Sequence, residues 1–163
     1  MLGSKVMLSL KEKVQDFLSQ KRIAVAGVSR NPEKGAAANA IYKKLKGCGY
    51  QVFAVNPQAE TVEGDKCYHD LKSIPEGIDG VVIVTPSDEV ENMVKQCIET
   101  GVSRVWMHRS FGTGSVSNDA VKLCEENKIT VIGGACPLMF LQPVDFGHRM
   151  IKGILRFTGG LPK

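Results

Sequence analysis

The chain has 163 residues, the length of one domain, and needs neither disulfides nor a structural metal to bury a sizeable core. Hydrophobic residues make up 43% and charged residues 23%, ordinary for a globular protein, and the formal net charge of +4 suits an anionic small molecule as well as it suits nucleic acid. No stretch approaches the ~20 apolar residues that span a bilayer. The opening residues MLGSKVMLSLKEKV also lack a signal-peptide apolar run, so a cytoplasmic protein without a membrane partner is expected.

Five cysteines are scattered along the chain: Cys48, Cys67, Cys97, Cys124 and Cys136. Their number is odd, no CxxC pair exists, and no Cys/His group has zinc spacing. Free thiols in a reducing compartment are expected, with no metal site. Cys97 and Cys124 fall within apolar helical patterns and are expected in the core.

In chain order, Ser9 with Glu12 spells a capping box that opens a helix with Leu10, Val14, Phe17 and Leu18 on its apolar face. Ile23 to Ala26 is a continuous apolar run of the kind found in a strand buried on both faces. A polar loop, Arg30 to Gly35, leads to a helix from about Ala37 to Lys46, closed by Gly47 and Gly49. Gln51 to Val55 is a second strand, stopped by Asn56-Pro57. An irregular stretch containing Gly64 follows, then a third strand, Val81 to Val84, stopped by Thr85-Pro86. Ser87 is the expected N-cap of a helix that buries Val90, Met93, Val94, Cys97 and Ile98 and closes at Gly101. Ser103 to Met107 and Ile129 to Ile132 are the fourth and fifth strands, with a helix starting at Ser117 between them; a last helix spans about Pro143 to Thr158. Strands alternating with helices predict an α/β fold: one Rossmann-like, doubly wound parallel sheet of about five strands with flanking helices, in a single domain spanning residues 1–163.

Ligands of such sheets bind beyond the C-terminal strand ends, where strand order reverses. The first strand end, Gly27-Val28-Ser29-Arg30-Asn31-Pro32-Glu33-Lys34-Gly35, combines close backbone approach, a hydroxyl and two cations ahead of a helix N-terminus. A phosphate suits that combination, held by helix amides, by Arg30 as a fork and by Lys34 as a point charge; an ordinary solvated loop also accounts for it. The dinucleotide fingerprint GxGxxG requires glycine at 27, 29 and 32, and the chain has Gly27, Ser29 and Pro32. An NAD site also expects an acid at the second strand end, where Asn56-Pro57 stands. Both departures weigh against NAD. The missing acid is compatible with more negative charge near a ribose, as in coenzyme A or NADP. No P-loop occurs.

The combination of VAGVSRNPEKGAAAN, AVNP, VVIVTPSDEV, VWM and a Cys-Pro pair after the fifth strand resembles the CoA-binding domain family, similar to the N-terminal domain of the succinyl-CoA synthetase alpha subunit. The resemblance covers roughly residues 16 to 140. It implies a Rossmann-like domain that holds the nucleotide of coenzyme A, or of an acyl-CoA. By position it assigns Gly27, Val28, Ser29, Arg30 and Lys34 to the phosphate loop, and Asn56 and Pro57 to the second-strand turn. Thr85, Pro86 and Val90 then fall to the wall near the adenine. The ligase's second domain, with its phosphorylated histidine, has no counterpart in this sequence, so a binding module without its own catalytic centre is expected, as a carrier, a sensor, a partner subunit or a homodimer. An NAD(P)-dependent oxidoreductase or redox sensor on the same fold is the alternative.

Among candidate reactive groups, His69 lies in a connector and His148 on the last helix; His108, at a strand end beside Arg109, is better placed to meet a ligand. No Ser-His-acid set is visible. Ser29 reads as a phosphate donor rather than a nucleophile, Cys136 as a structural thiol at the sheet edge, and Trp106 as core. Arg149, Lys152 and Arg156 share one face of the last helix, read as solvated. Nucleic-acid binding is not expected, for want of an aromatic stacking platform beside them.

Overall fold

A computed structural model describes residues 7–109, 114–142 and 146–162. Ser110, the expected helix start at Pro143, and the side chains of His148 and Met150 lie outside the described residues.

The capping box at Ser9 forms: the Ser9 amide donates to Glu12 Oε2 at 2.8 Å and the Glu12 amide donates back to Ser9 Oγ at 3.3 Å. It opens α1 (Leu10–Leu18), which buries Val14 and Phe17. The apolar runs become the strands β1 (Arg22–Ala26), β2 (Gln51–Val55), β5 (Gly80–Ile83), β6 (Arg104–Met107) and β7 (Thr130–Gly133). Between them lie α2 (Pro32–Gly47), α3 (Val90–Thr100) and α4 (Asn118–Glu126), followed by a 3-10 turn (Pro137–Met139) and α5 (Phe146–Thr158).

The sheet has seven strands, not the five expected, in the order β3-β4-β2-β1-β5-β6-β7. The two additions, β3 (Thr61–Val62) and β4 (Asp65–Tyr68), occupy the stretch read as irregular. They are too short and polar to show as an apolar run. Their turn places Glu63 and Gly64 at φ +53° and +79°, which suits a tight hairpin. β4 runs parallel to β2, and β3 is an antiparallel edge.

Two helix starts also differ from expectation. Asn31, not a residue near Ala37, caps α2, its Oδ1 accepting from the Glu33 amide at 2.9 Å; Pro32 begins the helix, where a missing N–H costs nothing. Ser87 is not a cap, because α3 starts after Glu89, whose side chain makes no cap bond. Ser117 caps α4 as expected.

Alternation along β1 sends Ile23 and Val25 into one core layer and Ala24 and Ala26 into the other. The first layer includes Val14 and Phe17 of α1, Ala38, Ile41 and Leu45 of α2, and Trp106. Trp106 is core, as expected: it has no exposed surface, meets Phe17 edge-on with centroids 5.4 Å apart, and lies 5.7 Å from Phe140. Its Nε1 donates to the carbonyls of Gly134 and Ala135, both at 3.2 Å. The second layer lies under α3 and α4 and contains Cys97 and Cys124, also core as expected. Burial raises the pKa of both thiols, that of Cys124 to about 12. Among the described residues no helix is long and apolar enough to cross a membrane.

Candidate ligand site at the strand ends

β1 is flanked by β2 and β5, with Ala26 in register with Val55 on one side and Ile83 on the other. The chain turns from β1 to β2 in one direction and reaches β5 in the other, so strand order reverses here, which marks the crevice position where ligands of such sheets bind. That register brings together Gly27-Val28-Ser29, Asn56-Pro57 and Thr85-Pro86, three of the sequence-predicted clusters.

Gly27 leaves β1 at φ +104°, and a Cβ there would lie 2.5 Å from the Val84 carbonyl oxygen. Only glycine lets the loop pass this close to the end of β5. Gly35 performs a second close approach, since its Cβ would stand 2.7 Å from both Cβ and N of Ser29.

Asn39, about two turns into α2, was not singled out from sequence. Its side chain holds the loop: Oδ1 accepts from the Ser29 amide at 2.9 Å, and Nδ2 donates to the Ser29 carbonyl at 2.7 Å and to Glu63 Oε1 at 3.0 Å. The signal was there, as a lone amide within the alanines of Ala36 to Ala40 on an inward-facing helix; Asn39 is 8% exposed. Ser29 Oγ in turn accepts from the Asn31 amide at 3.0 Å. Asn56 ties the neighbouring strand end to the same loop, its Nδ2 donating to the Val28 carbonyl at 2.8 Å.

The amides expected to cradle a phosphate are largely engaged. That of Glu33 is taken by Asn31 Oδ1, and those of Lys34 and Gly35 reach the Asn31 carbonyl at 3.1 and 3.0 Å. The charge that faces an anion here is therefore carried by side chains. Arg30 and Lys34 are both exposed, and among the described residues neither makes an ion pair. Val28 and Val90 have no exposed surface; Val28 offers the loop only its backbone, and Val90 packs into the second core layer at the start of α3. Pro57 and Pro86 are exposed.

The Thr85 hydroxyl is buried without a hydrogen-bond partner among the described residues. Its carbonyl accepts from Ser115 Oγ at 2.6 Å, and the Ser115 amide donates to the His108 carbonyl at 2.8 Å, so a buried serine links the ends of β5 and β6. The orphaned Thr85 hydroxyl is a group that a water or a ligand's polar atom would satisfy, whereas the space beside Gly27 and Gly35 is taken by the chain's own backbone and by Ser29. At the β6 end, Arg109 donates from Nη2 to the Gly160 carbonyl at 3.1 Å and is thereby turned toward the C-terminal segment rather than the crevice. Cys136 is buried at the start of the 3-10 turn, and His69, the residue after β4 and so beside the Asn56 turn, lies 2.9 Å from Glu60 on the surface. Among the described residues no group of three or more acidic, Cys or His side chains has metal-binding geometry.

With this geometry in place, comparison with known proteins decides the family. The family described as "CoA binding domain" matches residues 21–142. The chain belongs to it. The CoA-binding chain is 37% identical over 127 residues to the acetate–CoA ligase [ADP-forming] II subunit alpha of Pyrococcus furiosus, covering 74% of this chain and 27% of that protein. It is 30% identical over 122 residues to acetate–CoA ligase [ADP-forming] I of Archaeoglobus fulgidus, covering 71% of this chain and 18% of the ligase. This CoA-binding domain thus spans about a quarter or less of those two relatives. Among solved structures, a hypothetical protein from Pyrococcus horikoshii OT3 superposes with a TM-score of 0.72 at 29% identity, covering 84% of this chain and 94% of that one.

Proposed function

We propose that this chain is a single-domain binding module that holds coenzyme A, free or acylated, by its nucleotide across the ends of β1, β2 and β5, and carries no catalytic centre of its own. One observation bears most of the weight: a loop braced by Gly27, Asn39 and Asn56 that presents two unpaired cations, with an amide where a dinucleotide site would have an acid. Arg30 and Lys34 meet the phosphates, Ser29 and the Gly27–Val28 backbone line the phosphate loop, and Pro57 lies on the second-strand turn. The adenine lies against Thr85 and Pro86, and its nearest polar atom or a water satisfies the Thr85 hydroxyl. Val90 supports that wall from beneath. In this reading the protein works in the cytoplasm, as a carrier or sensor or beside a partner subunit, because the ligase relatives include a protein named as a subunit.

Calorimetric titration with coenzyme A and dephospho-coenzyme A tests the assignment. Coenzyme A is expected to bind at least tenfold more tightly, because dephospho-coenzyme A lacks the 3′-phosphate that a cation beyond β1 would pair with. Equal affinity for both would remove that role from Arg30 and Lys34, and binding of NADPH with none of coenzyme A would replace the reading with the nicotinamide one.

A further inference from the structure

A concave space also lies away from the strand ends. It is a groove of about 1300 Å3 between α1, the 3-10 turn and α5, larger than small-ligand pockets usually are. Leu10, Val14 and Leu18 of α1, with Met139, Phe140 and Leu161, make its walls apolar. Lys11, Arg149, Lys152 and Arg156 also line it, and among the described lining residues there is no acid. None of the four cations makes an ion pair among the described residues.

Three of these cations sit three and four residues apart on α5, an arrangement that is mutually repulsive. On the face read from sequence as solvated, Arg149 and Arg156 are exposed and Lys152 is partly buried. Lys152 Nζ stands 4.2 Å above the Phe140 ring and donates to the Met139 carbonyl at 3.4 Å. Burial, and then Arg156, lower its pKa. A neutral apolar ligand would leave this charge uncompensated, and a polyanion would waste the apolar walls.

From the apolar walls and the cations left unpaired among the described residues, we propose that the α1–α5 groove binds a free amphipathic carboxylate, its hydrocarbon chain against the partly exposed Leu10, Leu18, Phe140 and Leu161 and its carboxylate between Arg149 and Arg156. This site is separate from the coenzyme A crevice and does not depend on it.

Dodecanoate below its micelle concentration is the probe. Trp106 is the single tryptophan and contacts Phe140, so its fluorescence reports on the groove wall, with calorimetry as the second readout. Saturable binding at one equivalent is expected, with dodecanol at least tenfold weaker. Gly153 lines the groove and a Cβ there meets nothing within 4 Å, so Gly153→Phe fills the space from an open helical position; it is expected to weaken dodecanoate at least tenfold. The double substitution Arg149→Ala/Arg156→Ala is expected to do the same without filling the groove. Both variants are checked by circular dichroism melting and should bind coenzyme A like the parent chain. Absence of saturable binding to the parent, or dodecanoate affinity unchanged in both variants, or equal affinity for dodecanol, would overturn the proposal.

Discussion

Gly27 and Asn39 carry the loop beyond β1 in different ways. At φ +104°, with the Val84 carbonyl 2.5 Å from a would-be Cβ, Gly27→Ala adds backbone strain and a clash that side-chain motion cannot relieve. A loss of at least about 2 kcal/mol in urea unfolding is expected. Asn39→Ala leaves both the amide and the carbonyl of Ser29 without partners. Its expected cost is about 1–3 kcal/mol, with weakened coenzyme A binding in the same titration. Asn39→Asp should be worse than alanine near neutral pH, because a carboxylate would face Glu63 Oε1 and the Ser29 carbonyl. At this scale Gly27 was legible from sequence, since it ends an apolar run and starts a loop. The lone amide of Asn39 was visible among its alanines but its role was not, because its partners lie 10 and 24 residues away in sequence and only the folded α2 brings them together.

Elements with a single dominant signal were read correctly: the capping box of α1, the cap of α4 and the apolar strands β1, β2 and β5. The misreadings occurred where local signals competed. Ser87 looks like a cap, yet the turn at Pro86 to Glu89 delays α3 until Val90. The hairpin of β3 and β4 is too short for periodicity to register, and it exists because β2 offers an open edge and α2 offers tethers. Those tethers are Tyr42, whose hydroxyl donates to Asp65 Oδ2 at 2.7 Å, and Lys46, which pairs with the same atom. Together they hold the Asp65 carboxyl below its ordinary value of 3.8, with Lys46 the larger cause. A carboxylate whose folded pKa is depressed stabilises the fold above its unfolded pKa, and that stabilisation is lost as pH falls through the folded value. The native chain should therefore lose more stability than Asp65→Asn between about pH 5 and pH 2, in paired urea titrations. If both lose stability in parallel, the hairpin is not held through Asp65. At the start of α2, Asn31→Ala is expected to cost about 1 kcal/mol in the same assay, since it removes the only side-chain cap of a helix whose first residue is proline.

For the whole molecule, the alternation of strands and helices was enough to foresee a parallel sheet covered on both faces. Strand order came from the structure. It matters because it sets β1 between β2 and β5 and so places the loop of Arg30 and Lys34 beside Asn56 and Thr85. The α1–α5 groove was invisible in the sequence, where the cationic face of the last helix looks like any solvated surface; its meaning depends on α1 and Phe140 lying against it. Backbone amide shifts of 15N-labelled protein during titration with coenzyme A show whether the ligand is held beyond β1. The largest changes are expected at Gly27 to Gly35, Asn56 and Thr85, with little change along α1 and α5. Changes confined to α1 and α5, or no saturable change at all, would contradict that placement.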